Sequence, residues 1–163
     1  MTDTVSINDL LGYVEEGAIS VGKHFTNPED DWVPILFLWM PVGLAMTPLV
    51  EDDQATRNAK ITAAIALSGC SGAAFVSSAW AIKRPAKPGK KIRWQDGHER
   101  PSLAPDRVEC VVIAAVTLDG WGSTVATIER HPDKPPTLAP WERSEAVDGG
   151  ILAAMRAGFE AQS

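Results

Sequence analysis

Hydrophobic and polar positions change period several times along the 163 residues. Between Ser6 and Gly22 the apolar residues Ile7, Leu10, Leu11, Val14, Ala18 and Val21 recur at helical spacing and form one stripe. Ser6 suits the N-cap, Asp9 stands three residues on as a capping box requires, and Gly22 provides a stop. An acidic turn, Glu29-Asp30-Asp31, follows. Residues 32–50 then carry no charge, almost the length of a membrane span. Pro34, Pro41 and Pro48 would each cost a helix about 3 kcal/mol. Both flanks are acidic (Glu51-Asp52-Asp53 on the far side), where a spanning helix carries Lys or Arg near one end. The run therefore predicts two apolar strands joined at Pro41-Val42-Gly43.

A second helix is expected from Asp52 or Asp53, either of which can cap it, to a stop at Gly69. Residues 73–83 read as a strand, with Phe75 on one face and Val76, Trp80 and Ile82 on the other. Residues 108–118 are β-branched and apolar at both parities, the pattern of a central strand. Asp119-Gly120 predicts a tight turn with Gly at positive φ, and residues 121–130 the return strand. Residues 131–141 hold four prolines and read as an extended loop. Ile151, Leu152, Met155 and Phe159 share one face of a last helix, which Asp148 can cap. Short connections favour antiparallel pairing. The expected fold is α+β: a two-layer sandwich, a mostly antiparallel sheet of about five strands with helices on one face. One domain, residues 1–163, carries a long basic proline-rich loop at 83–107.

Composition narrows the class. Apolar residues make up 45% and charged residues 22%, which excludes bulk disorder and fibrous repeats. Two cysteines cannot build a disulfide framework or fill a zinc site. With no basic residue in 1–6 and no signal-peptide core, the expected location is the cytoplasm. A net charge of −6 argues against a general nucleic-acid coat.

Motifs for chemistry are weak. His24, His98 and His131 are far apart, and neither HExxH nor a calcium loop occurs, so no metal is expected. Neither GxGxxG nor GxxxxGK occurs, and no cofactor is expected. Ser68-Gly69-Cys70-Ser71-Gly72 surrounds a thiol with small residues. It follows a helix, however, where a nucleophile elbow follows a strand. Gly69 is better read as a helix cap, Cys70 and Cys110 as core. The acidic triplets are explained by a solvated turn and by helix capping.

The loop 83–107 stands out. Lys83, Arg84, Lys87, Lys90, Lys91, Arg93, Arg100 and Arg107 face three acids, so it carries +5 and the rest of the chain −11. Such asymmetry marks a contact arm for an acidic partner, with Trp94 as anchor. Against this stand a merely solvated loop and one folded back on the acidic body. Trp141, also in a proline-rich segment, is the other tryptophan expected at an interface. Strand tryptophans are expected in the core. A pocket between sheet and loop would use Trp80, His98, Arg107 and Glu109, although a structural ion pair explains Arg107 and Glu109 more simply.

Ser77-Ser78-Ala79-Trp80, the run Pro105-Asp106-Arg107-Val108-Glu109 and the hairpin after it resemble a set of small microbial and phage-type proteins. The resemblance spans residues 50–145, and the chain departs from it at Ser78, where such proteins often carry Glu. It implies an intracellular α+β domain from a mobile element or phage, with no catalytic role to transfer. The expected function is a non-enzymatic intracellular binding protein, host-directed and inhibitory if phage-encoded. Its 83–107 loop would contact an acidic protein surface or nucleic acid, with no membrane involved. The alternatives are an enzyme using Arg107, Glu109 and His98, and a self-assembling subunit that forms a homo-oligomer through 32–50 or Trp141.

Overall fold

The computed structural model describes residues 4–49, 53–82, 107–144 and 149–162. Helix α1 (Ile7–Lys23) starts where Ser6, in extended geometry, accepts the Asp9 N–H on its Oγ at 3.1 Å. It runs one residue past the expected stop and closes at His24. Gly22 serves packing instead: a Cβ there would lie 2.8 Å from Cζ2 of Trp32.

The uncharged run folds as a hairpin, β1 (Ile35–Met40) and β2 (Gly43–Pro48), turning at Pro41-Val42. Gly43 closes the turn at φ +133°, a region that only glycine enters freely. Among the described residues no helix is long and apolar enough to cross a membrane. Helix α2 (Gln54–Ser68) is capped by Asp53 and ends at Gly69, whose φ of +67° is left-handed. Asp52 and Asp148 lie outside the described residues.

Strands β3 (Gly72–Ile82), β4 (Arg107–Thr117) and β5 (Gly120–Glu129) form a meander. The β4–β5 turn is Leu118-Asp119. Gly120 opens β5 opposite Thr117 and does not take positive φ, contrary to expectation. The Thr117 hydroxyl donates to the Asp119 carboxylate, so the turn is braced by side chains. Residues 131–141 are more than a loop. They contain β6 (Thr137–Leu138), paired with the end of β5, and lead into β7 (Glu142–Ser144), paired with its middle. Proline favours extended backbone, and Thr137 and Leu138 keep the N–H groups that pairing needs. Helix α3 (Gly149–Ala161) follows.

Among the described residues the sheet is antiparallel and seven-stranded, in the order β2-β1-β3-β4-β5-β6 with β7 also on β5. The α+β class holds, and β1 to β5 are the five strands the sequence predicts. The helices, however, cover both faces. Leu10, Leu11 and Val14 of α1 pack on Phe37, Val76, Val111 and Ile113. Ile61, Ile65, Ile151 and Met155 of α2 and α3 pack on Leu36, Phe75, Ala114 and Val116 of the other face. The physical reason lies in β1, β3 and β4, which are apolar at both parities. A strand that is apolar on both faces needs cover on both.

Candidate functional site

A cleft of about 640 Å³ opens between the last turns of α1 and the segment 134–141. Three local features build its α1 side. The Asp30 carboxylate accepts the N–H groups of Thr26 (2.8 Å) and Asn27 (3.0 Å), folding the turn after the helix. These bonds, that of Asn27 first, hold the Asp30 carboxyl below its ordinary value. Trp32 then slides under the helix, 3% exposed, and its Nε1–H donates to the Ala18 carbonyl at 2.8 Å. Phe25 meets it edge-on, ring centroids 4.7 Å apart.

The facing wall is the proline-rich segment. Pairing of β6 with β5 fixes it, as do the Ala139 N–H bond to the Thr127 carbonyl (2.9 Å) and the His131–Thr137 side-chain contact (3.0 Å). Pro135, Pro136 and Pro140 line the space with Trp141. Each proline lowers the entropy lost on fixing this wall. Trp141 is half-buried against the α1-side core, and its Nε1 is buried without an acceptor. Lys23 and Lys134 also line the cleft, and neither meets a carboxylate among the described residues. An apolar, aromatic floor with cationic walls suits a ligand group that is apolar in its body and acidic at its rim. The volume lies within the range of about 300–1,000 Å³ usual for such pockets.

Beside the cleft, Arg130 ties the acidic turn to the sheet. Its Nε and Nη2 reach the two oxygens of Glu109 at 2.7 and 2.8 Å. Its Nη1 donates to the carbonyls of Asp30 (2.7 Å) and Pro28 (3.3 Å), and Nη2 lies 3.5 Å from Asp31. Ser78 adds a bond to Asp31 at 3.2 Å. The bidentate bond that Arg130 donates to the Glu109 carboxylate raises the Arg130 pKa. Glu109 is therefore ion-paired with Arg130.

Of the other sequence candidates, Trp80 is the cross-strand neighbour of Glu109, and Arg107 pairs with Ile82 at the end of the same ladder. Trp141 reaches the cleft. Lys83, Arg84, Lys87, Lys90, Lys91, Arg93, Trp94, His98 and Arg100 lie outside the described residues. Trp121, expected in the core as a strand residue, is 39% exposed. The contributions of Trp32, Phe25, Lys23 and Lys134 were missed. The available signal was the proline run beside a tryptophan, which marks a rigid wall without saying what it faces.

Cys70 and Cys110 are buried, as expected of core residues. Burial pushes both thiols up, Cys110 to about 12 with the charge of Glu109 adding to it. Neither is a nucleophile near neutral pH. Among the described residues no three His, Cys, Asp or Glu side chains are grouped to hold a metal. Comparison with protein-family models, with curated proteins and with solved structures found no significant match.

Proposed function

We propose that this chain is a non-enzymatic cytoplasmic binding protein whose contact surface is the cleft end of the sheet, and that its partner is an acidic protein. One observation carries the reading: an apolar cleft walled by Trp32, Trp141 and three prolines also presents Lys23 and Lys134. An acidic segment can seat an apolar side chain between the tryptophans while its carboxylates meet the lysines. Charge complementarity of this kind steers association and selects partners. The position of the basic segment supports the reading. The chain leaves β3 at Ile82 and enters β4 at Arg107, and extending the β4–β5 register sets Arg107 opposite Arg130. The loop that carries +5 is thus rooted at the same end of the sheet as the cleft.

The test is affinity capture from lysate at low and high salt, with nuclease treatment and mass spectrometry. Wild type is run beside Trp141→Ala and the double variant Lys23→Glu/Lys134→Glu. The expected result is an acidic protein retained at low salt, released at high salt and lost with both variants, whose melting temperatures confirm folding. Identical capture by the charge-reversed variant, loss on nuclease treatment, or no partner at either salt overturns the reading.

A further inference from the structure

The second surface of interest is the outer edge of β2. On the other side of the sheet the edge strands are the short β6 and β7, both paired with β5. Among the described residues, strand β2 pairs only with β1. Its sequence, Gly-Leu-Ala-Met-Thr-Pro, holds no charge, and its residues beyond Gly43 are all exposed. Natural edges are usually blunted by lysines, bulges or prolines.

Which backbone groups face outward follows from one hydrogen bond. The Leu49 N–H donates to the Pro34 carbonyl at 2.8 Å, next to the Ile35–Pro48 rung. Hydrogen-bonded rungs alternate along an antiparallel ladder. Ala45 and Thr47 therefore turn their backbone groups toward β1, and Leu44, Met46 and Pro48 turn theirs outward. Pro48 sits where its missing N–H costs the fold nothing. Two outward residues remain complete, Leu44 and Met46, and they are symmetric about Ala45.

That symmetry is self-complementary. A second copy, antiparallel and related by a twofold axis at Ala45, sets Leu44 against the other chain's Met46 twice. Each such rung makes two N–H to carbonyl bonds, four in all, and leaves Pro48 out of the ladder. The axis stands perpendicular to the sheet, so like faces adjoin. On the α1 face Leu44 (37% exposed) and Met46 (56%) would meet their counterparts. Beside them the Trp39 and Tyr13 rings stack at 5.3 Å, and Tyr13 is half-exposed. Helix α1 reaches β1 through Tyr13 and Gly17, and beyond it Leu44 and Met46 of β2 stay exposed as an apolar strip. The strip carries no charge to oppose itself, although the chain as a whole is at −6.

We infer that the protein self-associates through β2, two copies sharing one continuous sheet across a twofold axis at Ala45. This is independent of the cleft. An interface of one strand and four side chains is small, so dissociation belongs in the micromolar range.

Sedimentation and light scattering across about 1–100 μM bracket that range. Wild type should pass from 17.5 kDa to twice that mass. Met46→Pro deletes an outward N–H that the β1 ladder does not use, so the fold should persist while the dimer is lost. Met46→Lys reads the same if the proline variant fails to fold. Ala45→Cys gives the geometric test. The two copies meet at a non-hydrogen-bonded rung with Cα atoms about 4.5 Å apart, within disulfide reach. It should cross-link under mild oxidant into a covalent dimer, with Cys70 and Cys110 buried and unreactive. A wild type that stays monomeric throughout, a dimer that survives both Met46 variants, or an Ala45→Cys chain that does not cross-link overturns the proposal.

Discussion

Three glycines of α1 test whether the cleft wall is rigid. Gly12, Gly17 and Gly22 lie in one helix, and each is changed to alanine. At Gly12 a new Cβ meets nothing within 4 Å, so helix propensity alone acts. That gain is roughly 1 kcal/mol, or about 2–4 °C in Tm for a chain of this size. At Gly17 the Cβ lies 3.4 Å from Cε1 and Cζ of Phe37, at the tight edge of ordinary contact. Gly17→Ala should fall between zero and the Gly12 gain. At Gly22 the Cβ lies 2.8 Å from Cζ2 of Trp32, closer than carbon atoms tolerate.

Trp32 has little room to yield. It is 3% exposed, bonded to the Ala18 carbonyl and wedged against Phe25. Overpacking of such a site costs about 1–3 kcal/mol. Gly22 lies in the last turn, where the propensity gain shrinks to tenths. The net is a loss of about 1–2 kcal/mol, and Tm should fall by about 3–6 °C. Thermal and urea denaturation followed by circular dichroism read all three variants, and tryptophan fluorescence reports any shift of Trp32. The sign pattern is the result of interest: one substitution, one helix, opposite outcomes at Gly12 and Gly22. If Gly22→Ala stabilises as Gly12→Ala does, Trp32 moves aside at no cost and the cleft is not preformed.

Acid should weaken the fold through two carboxylates. The Asn27 and Thr26 amides lower the Asp30 pKa, and the Thr56 hydroxyl, followed by the Ala55 amide, lowers that of Asp53. A depressed folded pKa means the unfolded chain binds more protons. The stabilisation is complete above about pH 4 and disappears as pH falls through the folded values. Asp30→Asn and Asp53→Asn should flatten stability against pH below that point, and an unchanged slope would reject the linkage. Both thiols should stay silent to a disulfide reagent at pH 8 in the native protein and react in denaturant. Rapid native labelling would contradict the raised values at Cys70 and Cys110.

The helices and long strands were legible because their signals are local. Ser6 with Asp9, Asp53, and Gly69 act within a few residues of the boundaries they set. The strand periodicities marked which residues are apolar but not what covers each face. The apolar pattern at both parities of residues 108–118 already called for cover on two sides, and counting three helices onto one face overlooked it. Gly120 was misplaced because Asp-Gly signals a turn without fixing its register. The side chains Thr117 and Asp119 settle that register here.

The cleft was illegible for a different reason. Its walls come from residues 19–32 and 134–141, and Arg130 bonds to Pro28 across 102 positions of chain. No periodicity links such segments. The β2 edge shows the reverse limit. An uncharged run predicts strands correctly, yet hydrophobicity requires burial only where something is available to bury against. Within one copy β1 has that cover and β2 has not. The two surfaces sit at opposite ends of the strand order, the cleft beside β6 and the open edge at β2. Pairing through β2 therefore leaves both clefts free. A dimer would offer an immobilised or multivalent partner two sites, raising retention without any new contact. Met46→Pro should then weaken retention on a dense surface while leaving affinity for a single partner molecule unchanged. A loss of single-site affinity would show that cleft and edge are coupled.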